Sequence, residues 1–213
     1  ESAVSSIIDQ VKDIPISILI NNAGFGANGQ FDKIPIEAQL RMISVNCSSL
    51  IQLTHHVVEQ HRKRASEKNT SSSNAPRKLI AVANTGSLAA APAGLPFQTT
   101  YAATKAFVSS FTHGIAYSLK DDGVKVVLIE PGTIVDTAFQ ERSKQPKHGG
   151  ANTPASVVSR TLDALRNPEY GNYHIIPSLH DAITYYGSKL LPDKMIIKMA
   201  AKRGLKYSPD ELK

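Results

Sequence analysis

Cysteine is nearly absent. Cys47 is the only one in 213 residues, so no internal disulfide can form and a reducing, cytoplasmic setting is the natural expectation. No apolar run reaches the roughly 18 residues that a membrane-spanning helix needs. The front of the chain has no basic-then-apolar signal peptide. Disorder is excluded as well, because 41% of the residues are hydrophobic and only 20% charged, which is ordinary globular composition. No repeat recurs at a fixed period. The length suits a single domain with a real core.

Acidic residues are in the minority, and the formal net charge is +6. Much of the excess lies in two places. One is Arg62 to Lys78, where six Lys/Arg face one Glu; the other is the tail after Lys189. The first cluster sits in a Ser/Asn-rich stretch that reads as a solvated loop, and no nucleic-acid recognition motif accompanies it. His55, His56 and His61 form a metal cluster only by count, so no metal site is expected. Cys47 reads as a small core residue. The tail "KLLPDKMIIKMAAKR" carries apolar residues on one side and lysines on the other. It is expected to dock on the domain or on a second subunit, with peripheral membrane contact as the less favoured alternative. The first residue is Glu1 rather than Met, so the chain reads as cut or processed at its front.

Helical and strand patterns alternate. A short helical period covers residues 2–12. "ISILI", Ile16 to Ile20, reads as a buried parallel strand stopped by "NNAG". A long helix is expected from Glu37 to Ala65. A second buried strand, Lys78 to Ala83, ends in "NTGS". The next helix has apolar residues Phe107, Phe111, Ile115 and Leu119 at a spacing of four, and Gly123 is its candidate C-cap. "VKVVLIE" is a third strand, stopped at Pro131–Gly132. The stretch 133–152 has the polar composition of a mobile loop. A helix near 154–166, a strand at "YHIIP" and two short helices near 181–203 complete the pattern. Fully apolar strands alternating with helices mean a parallel sheet covered on both faces. Ligands of such sheets sit at the carboxyl ends of the strands, and here every unusual motif follows a strand.

The chemistry concentrates in "TTYAATKAF". Tyr101 and Lys105 lie one helical turn apart, so both side chains leave the same face. A free phenol has a pKa of about 10, and a nearby ammonium favours the phenolate. A phenol tuned toward neutrality can exchange a proton with an alcohol or carbonyl oxygen. Ser87, at the end of the second strand, either hydrogen-bonds that same oxygen or simply caps a turn. Asn46 sits in mid-helix, where asparagine is mildly unfavourable. It either binds a water, bends the helix or is a satisfied buried amide.

"ILINNAGFG", "SVN", "NTGSLAA", "YAATKAF" and "IEPG" occur in the order and spacing of the short-chain dehydrogenase/reductase family. The wording resembles its DltE-like branch of bacterial and fungal oxidoreductases, and the resemblance covers roughly residues 10 to 140. It implies a Rossmann-like doubly wound α/β sheet and interconversion of a carbonyl and an alcohol on a small-molecule substrate. The implied cofactor is a nicotinamide dinucleotide, NADP(H) ahead of NAD(H). Tyr101 would be the general acid/base. Lys105 would lower its pKa and bond the nicotinamide ribose. Ser87 would orient the carbonyl, and Asn46 would anchor a relay water. Asn22, Ala23 and Gly24 would line the adenosine side. Pro131, Gly132 and Ile134 would contact the nicotinamide, with Thr137 near its carboxamide. Residues 135–152 and 181–213 would form the substrate loop and a C-terminal helical region. The family commonly dimerises through its long helices, so the Tyr101–Leu119 helix is a candidate interface.

The sequence departs from the family pattern. The spacing from Ser87 to Tyr101 is one residue long, the usual Ser-Ser pair reads Gly86–Ser87, and Thr137 comes one residue late. The glycine-rich dinucleotide-binding turn is missing. The resemblance would place it before residue 1, along with three strands, two crossover helices and the residue that selects NAD or NADP. The chain is therefore expected to be one partial dehydrogenase domain, 1–213, lacking the first βαβ units. The rival expectation is a non-catalytic remnant that serves as a binding or scaffold module.

Overall fold

The computed structural model describes residues 3–70, 80–92, 94–135, 137–143, 152–167 and 174–207. Four parallel strands form one sheet in the order β1 (Ile18–Asn21), β2 (Ile80–Thr85), β3 (Val124–Ile129), β4 (His174–Ile175). Each strand enters from a helix: α1 (Ala3–Val11) before β1, α3 (Ser49–Thr70) before β2, α4 (Thr99–Ser118) before β3 and α6 (Pro154–Arg166) before β4. Helix α2 (Ile36–Ile43) leads into α3, and the four-residue α5 (Phe139–Arg142) precedes α6. Helices α7 (Leu179–Ser188) and α8 (Asp193–Tyr207) follow the sheet.

The alternation of side chains along each strand decides which helix it meets. Ile80, Val82, Val124 and Val126 pack under Val57 and Val58 of α3 and Ala116 of α4. Ala83, Val127 and Ile129 face the other way, against Ala164 of α6. The sheet is thus covered on both faces, as expected. Strand β1 departs from the expectation of a buried strand. Leu19 packs into the α3–α4 core, but Ile18 and Ile20 are 53% and 52% exposed. Helix α6 packs mainly on β2 and β3, which leaves that side of β1 half exposed among the described residues.

A buried polar ladder fixes the register beside the site. Asn21 and Asn84 are paired across β1 and β2. The Asn21 amide donates to Asn84 Oδ1 at 2.8 Å and to Thr54 Oγ1 of α3 at 3.0 Å. The Asn84 amide donates onward to Thr112 Oγ1 of α4 at 3.0 Å. Of the two asparagines in "NNAG", the first is therefore structural.

Three further expectations are corrected. The long helix is not uniform, because Ser44–Ser48 form a π turn closed by the Ser49 amide on Ser44 O, and α3 continues to Thr70. Leu119, not Gly123, caps α4. Gly123 has φ +73°, which suits glycine, but it opens β3 and its carbonyl accepts from Ile80 N. The stretch 133–152 is not wholly irregular: it holds α5 and a parallel bridge between Ile134 and Asn152. Lys78, residue 136, residues 144–151 and the end of the tail, 208–213, lie outside the described residues.

Candidate active site

Three loops meet at the carboxyl ends of β1, β2 and β3. They surround a cavity of about 880 Å³. Its wall includes Asn22, Gly24, Ser87, Tyr101, Lys105 and Gly132, and also Pro131, Ile134 and Thr137. Of the residues expected at the site, Ala23 and Asn46 are not on this wall.

Helix α4 begins at Thr99, so Tyr101 and Lys105 stand in its first two turns, one above the other. Both are buried, at 6% exposure each. Lys105 Nζ lies 5.8 Å from the centre of the Tyr101 ring and donates to Thr85 O at 2.8 Å. The Ser87 hydroxyl hydrogen-bonds the Tyr101 side chain. Ser87 also caps the short turn Leu88–Ala90, its Oγ accepting from Ala89 N at 3.1 Å. The two readings of Ser87 are thus compatible. Phe139 of α5 closes the far side of the phenol, with ring centres 5.7 Å apart.

The expected tuning of Tyr101 is overturned. Burial pushes its pKa up to about 12, and only the Ser87 hydrogen bond opposes this. The Lys105 ammonium is turned to the Thr85 carbonyl rather than to the phenol oxygen. Lys105 is itself brought down to about 8 by burial, with Cys47 and Glu130 pulling the other way. At neutral pH the pair is therefore a phenol beside an ammonium, a proton donor rather than a base.

Asn46 is a clamp. Its amide donates to Phe25 O and Thr104 Oγ1, both at 3.0 Å, and its Oδ1 accepts from Phe25 N at 3.1 Å. All the principal positions of the side chain are engaged, which fits the satisfied-amide reading. Gly24 leaves room for this, since a Cβ there would stand 3.1 Å from Asn46 Oδ1 and 3.7 Å from Lys105 Nζ. Cys47 is buried and its thiol is pushed up by burial, as a core residue's would be. No group of three or more metal-ligating side chains occurs among the described residues.

Sequence reasoning missed two buried carboxylates. Asp181, in the first turn of α7, accepts from Gly132 N at 3.1 Å and from the Asn152 amide. It fills the space where a Cβ on Gly132 would stand. No motif marked it. Glu130 was visible in "IEPG", but nothing in the wording gave it a role. It is fully buried, pairs with His174 Nε2 of β4 at 2.7 Å and packs against Gly86, whose Cβ would meet its Cγ at 2.9 Å. Glycine at position 86 is therefore required by the close approach of Glu130, which accounts for the broken Ser-Ser pair.

The residues fit a nicotinamide nucleotide where the described wall would meet it. Two buried donors, Tyr101 and Lys105, border the cavity, and the glycine at 24 keeps the approach to Lys105 open. Gly132 departs from this fit, because its N–H is spent on Asp181.

The family model described as short chain dehydrogenase matches residues 1–148. Ketoacyl reductase HetN of Nostoc sp. is 28% identical over 170 residues, covering 78% of this chain and 54% of the relative. The 7beta-hydroxysteroid dehydrogenase of Clostridium sardiniense is 28% identical over 165 residues, covering 76% and 58%. The chain thus spans a little over half the length of these curated relatives. A short-chain dehydrogenase from Sphingobium yanoikuyae, solved in complex with NADPH, superposes with a TM-score of 0.69 at 23% identity, over 91% of this chain and 70% of that one. With the fold, the Tyr101–Lys105 face and the family match in agreement, this chain belongs to the short-chain dehydrogenase family.

Proposed function

We propose that the site interconverts a carbonyl and an alcohol on a small molecule with a nicotinamide cofactor. The observation that carries this reading is the group of the half-buried Ser87 and the buried Tyr101 and Lys105 on one cavity wall. The cofactor, when bound, supplies or accepts the hydride. Lys105 and Tyr101 would hold its ribose, Asn22, Ala23 and Gly24 its adenosine side, and Pro131, Ile134 and Thr137 its nicotinamide. NADP(H) is favoured over NAD(H) on the number of solved neighbours alone, since complexes with NADPH and with NADP stand beside one with NADH.

The chain's own residues manage the proton. Tyr101, protonated at neutral pH, donates to the carbonyl oxygen. Ser87, whose Oγ accepts from Ala89 N, would turn its O–H from the Tyr101 side chain to hold that oxygen. As the phenol gives up its proton, the Lys105 ammonium, which rests on Thr85 O with its Nζ 5.8 Å from the Tyr101 ring centre, would turn toward the phenolate to stabilise it. A homodimer through α4 is part of the same reading, supported by the exposed Phe107 ring, which stacks 5.9 Å from Phe111, a residue packed on the Leu50–Val108–Leu128 core.

The test is a titration of NADPH and NADH into the protein, followed by NADPH oxidation with a panel of ketones. Tyr101→Phe is expected to keep NADPH binding and lose at least a hundredfold in kcat. Turnover that survives Tyr101→Phe, or a folded protein that binds neither nucleotide, refutes the reading.

A further inference from the structure

The catalytic group accounts for only a small part of the cavity's lining. Beyond Ser87 and Tyr101 the cavity runs between two walls. Leu88, Ala91 and Leu95 form one, and Ile183, Leu191 and Met199 of the α7–α8 hairpin form the other. The walls close on each other near Gly94, where a Cβ would lie 4.0 Å from Ile197 of α8. Every cavity-lining residue from 88–96 and from 183–200 is uncharged. The one carboxylate among the lining residues, Asp181, already accepts from Gly132 N and Asn152, and His180 lines the cavity next to it. The lysines of the hairpin, Lys189, Lys194 and Lys198, are exposed and absent from the wall.

We propose that this outer cavity is a binding site for the apolar body of an uncharged ketone or secondary alcohol, held between the Leu88–Leu95 segment and the α7–α8 hairpin. The inference rests on the oxidoreductase reading for the position of the carbonyl, at Ser87 and Tyr101. The rest follows from the walls. Among the lining residues only Lys105, held on Thr85 O, and His180, beside Asp181, can carry a positive charge, so a carboxylate or phosphate lodged against residues 88–96 and 183–200 would find no cation in those segments to replace its water. An aliphatic body would be desolvated against Ile183, Leu191 and Met199, which stand partly exposed without it. Because the walls belong to different segments, the hairpin sets how long a body the site accepts.

The experiment is a calorimetric titration of butanone, octanone and dodecanone (as methyl ketones) into the protein, with and without NADPH, and of a methyl ketone ending in a carboxylate. Affinity is expected to rise about fourfold per methylene along the neutral series, and the carboxylate is expected to bind at least tenfold more weakly than its neutral counterpart. Met199→Asp and Ile183→Asp, at exposed positions that leave the core untouched, are expected to abolish the chain-length dependence and leave butanone unchanged. Affinity that does not vary with chain length, equal binding of the carboxylate, or dodecanone binding unaltered by both variants would overturn the proposal. Chain-length-dependent binding without NADPH oxidation would instead refute the oxidoreductase reading and keep the apolar site. Vesicles of neutral and anionic lipid serve as the control. Capture of the protein by vesicles that Met199→Asp removes, with no ketone binding, would assign the hairpin to a membrane surface and also overturn the proposal.

Discussion

Replacing Asn46 with alanine separates two roles that the family resemblance and the structure give it. A residue that only anchors a relay water would change proton transfer and leave stability nearly untouched. The structure gives Asn46 a heavier duty. Its amide ties the Phe25 peptide, through both N–H and C=O, to Thr104 in α4. Alanine leaves a half-buried peptide N–H and C=O without partners. Unsatisfied groups cost about 1–3 kcal/mol each when fully buried. Phe25 is half-buried, so water recovers part of this and the net loss is about 2–3 kcal/mol. With a urea m-value of about 2 kcal/mol/M, the unfolding midpoint should fall by about 1–1.5 M at unchanged m. Thr104→Val should lose less, since both bonds between Asn46 and the Phe25 peptide stay in place and only the Thr104 hydroxyl's contacts to the Asn46 amide and Tyr101 O are lost. The double variant should show coupling of about 1 kcal/mol. A midpoint shift below about 0.3 M for Asn46→Ala would refute the clamp and return the residue to a purely catalytic role.

Two further outcomes follow from the buried groups. Lys105 titrates near 8 in the fold against 10.5 in the unfolded chain, so the unfolded state holds more protons between these values and stability should rise from about pH 8 to pH 10.5. Tyr101 goes the other way: with a folded value of about 12 against 10.0, its contribution is complete below pH 10 and is lost as pH climbs toward 12. Urea unfolding of Lys105→Met and Tyr101→Phe against the parent chain should show each slope disappear in turn, and parallel curves would refute the assignments. Gly132→Ala drives a methyl group into the Asp181 carboxylate, whose Cγ would lie 2.7 Å away. It should cost about 2–4 kcal/mol and lower the thermal midpoint by several degrees; adding Asp181→Ala should restore part of it, and no shift from Gly132→Ala alone would mean that α7 is not latched to this loop.

The legible part of the molecule was the part whose chemistry depends on local wording. Tyr101 and Lys105 share a helix, so their proximity follows from spacing alone. The motifs "NNAG", "NTGS" and "PG" each follow a strand, so the sheet brings them together. What stayed hidden depended on partners remote in sequence. Asp181 meets Gly132 across 49 residues, and His174 meets Glu130 across 44. The protonation of Tyr101 was misread because a count of neighbouring charges favours the phenolate, whereas burial favours the phenol. The exposed side of β1 was misread because an apolar strand announces that it can be covered but does not say by which helix.

The π turn at Ser44–Ser48 has a consequence for numbering as much as for shape. A regular helix advances about 100° per residue, and one residue too many in a turn shifts the phase of everything on either side of it. Residues 36–43 and 49–70 therefore keep separate angular clocks. The first clock points Gln39 at Phe31 O, Ile34 O and Thr100, and the second points Thr54, Val57 and Val58 at the sheet. Deleting a single residue from 44–48 would synchronise the two clocks and give a regular helix. It would also swing Gln39 away from the end of the helix that carries Tyr101. The irregular turn keeps a regular helix from pointing in only one direction.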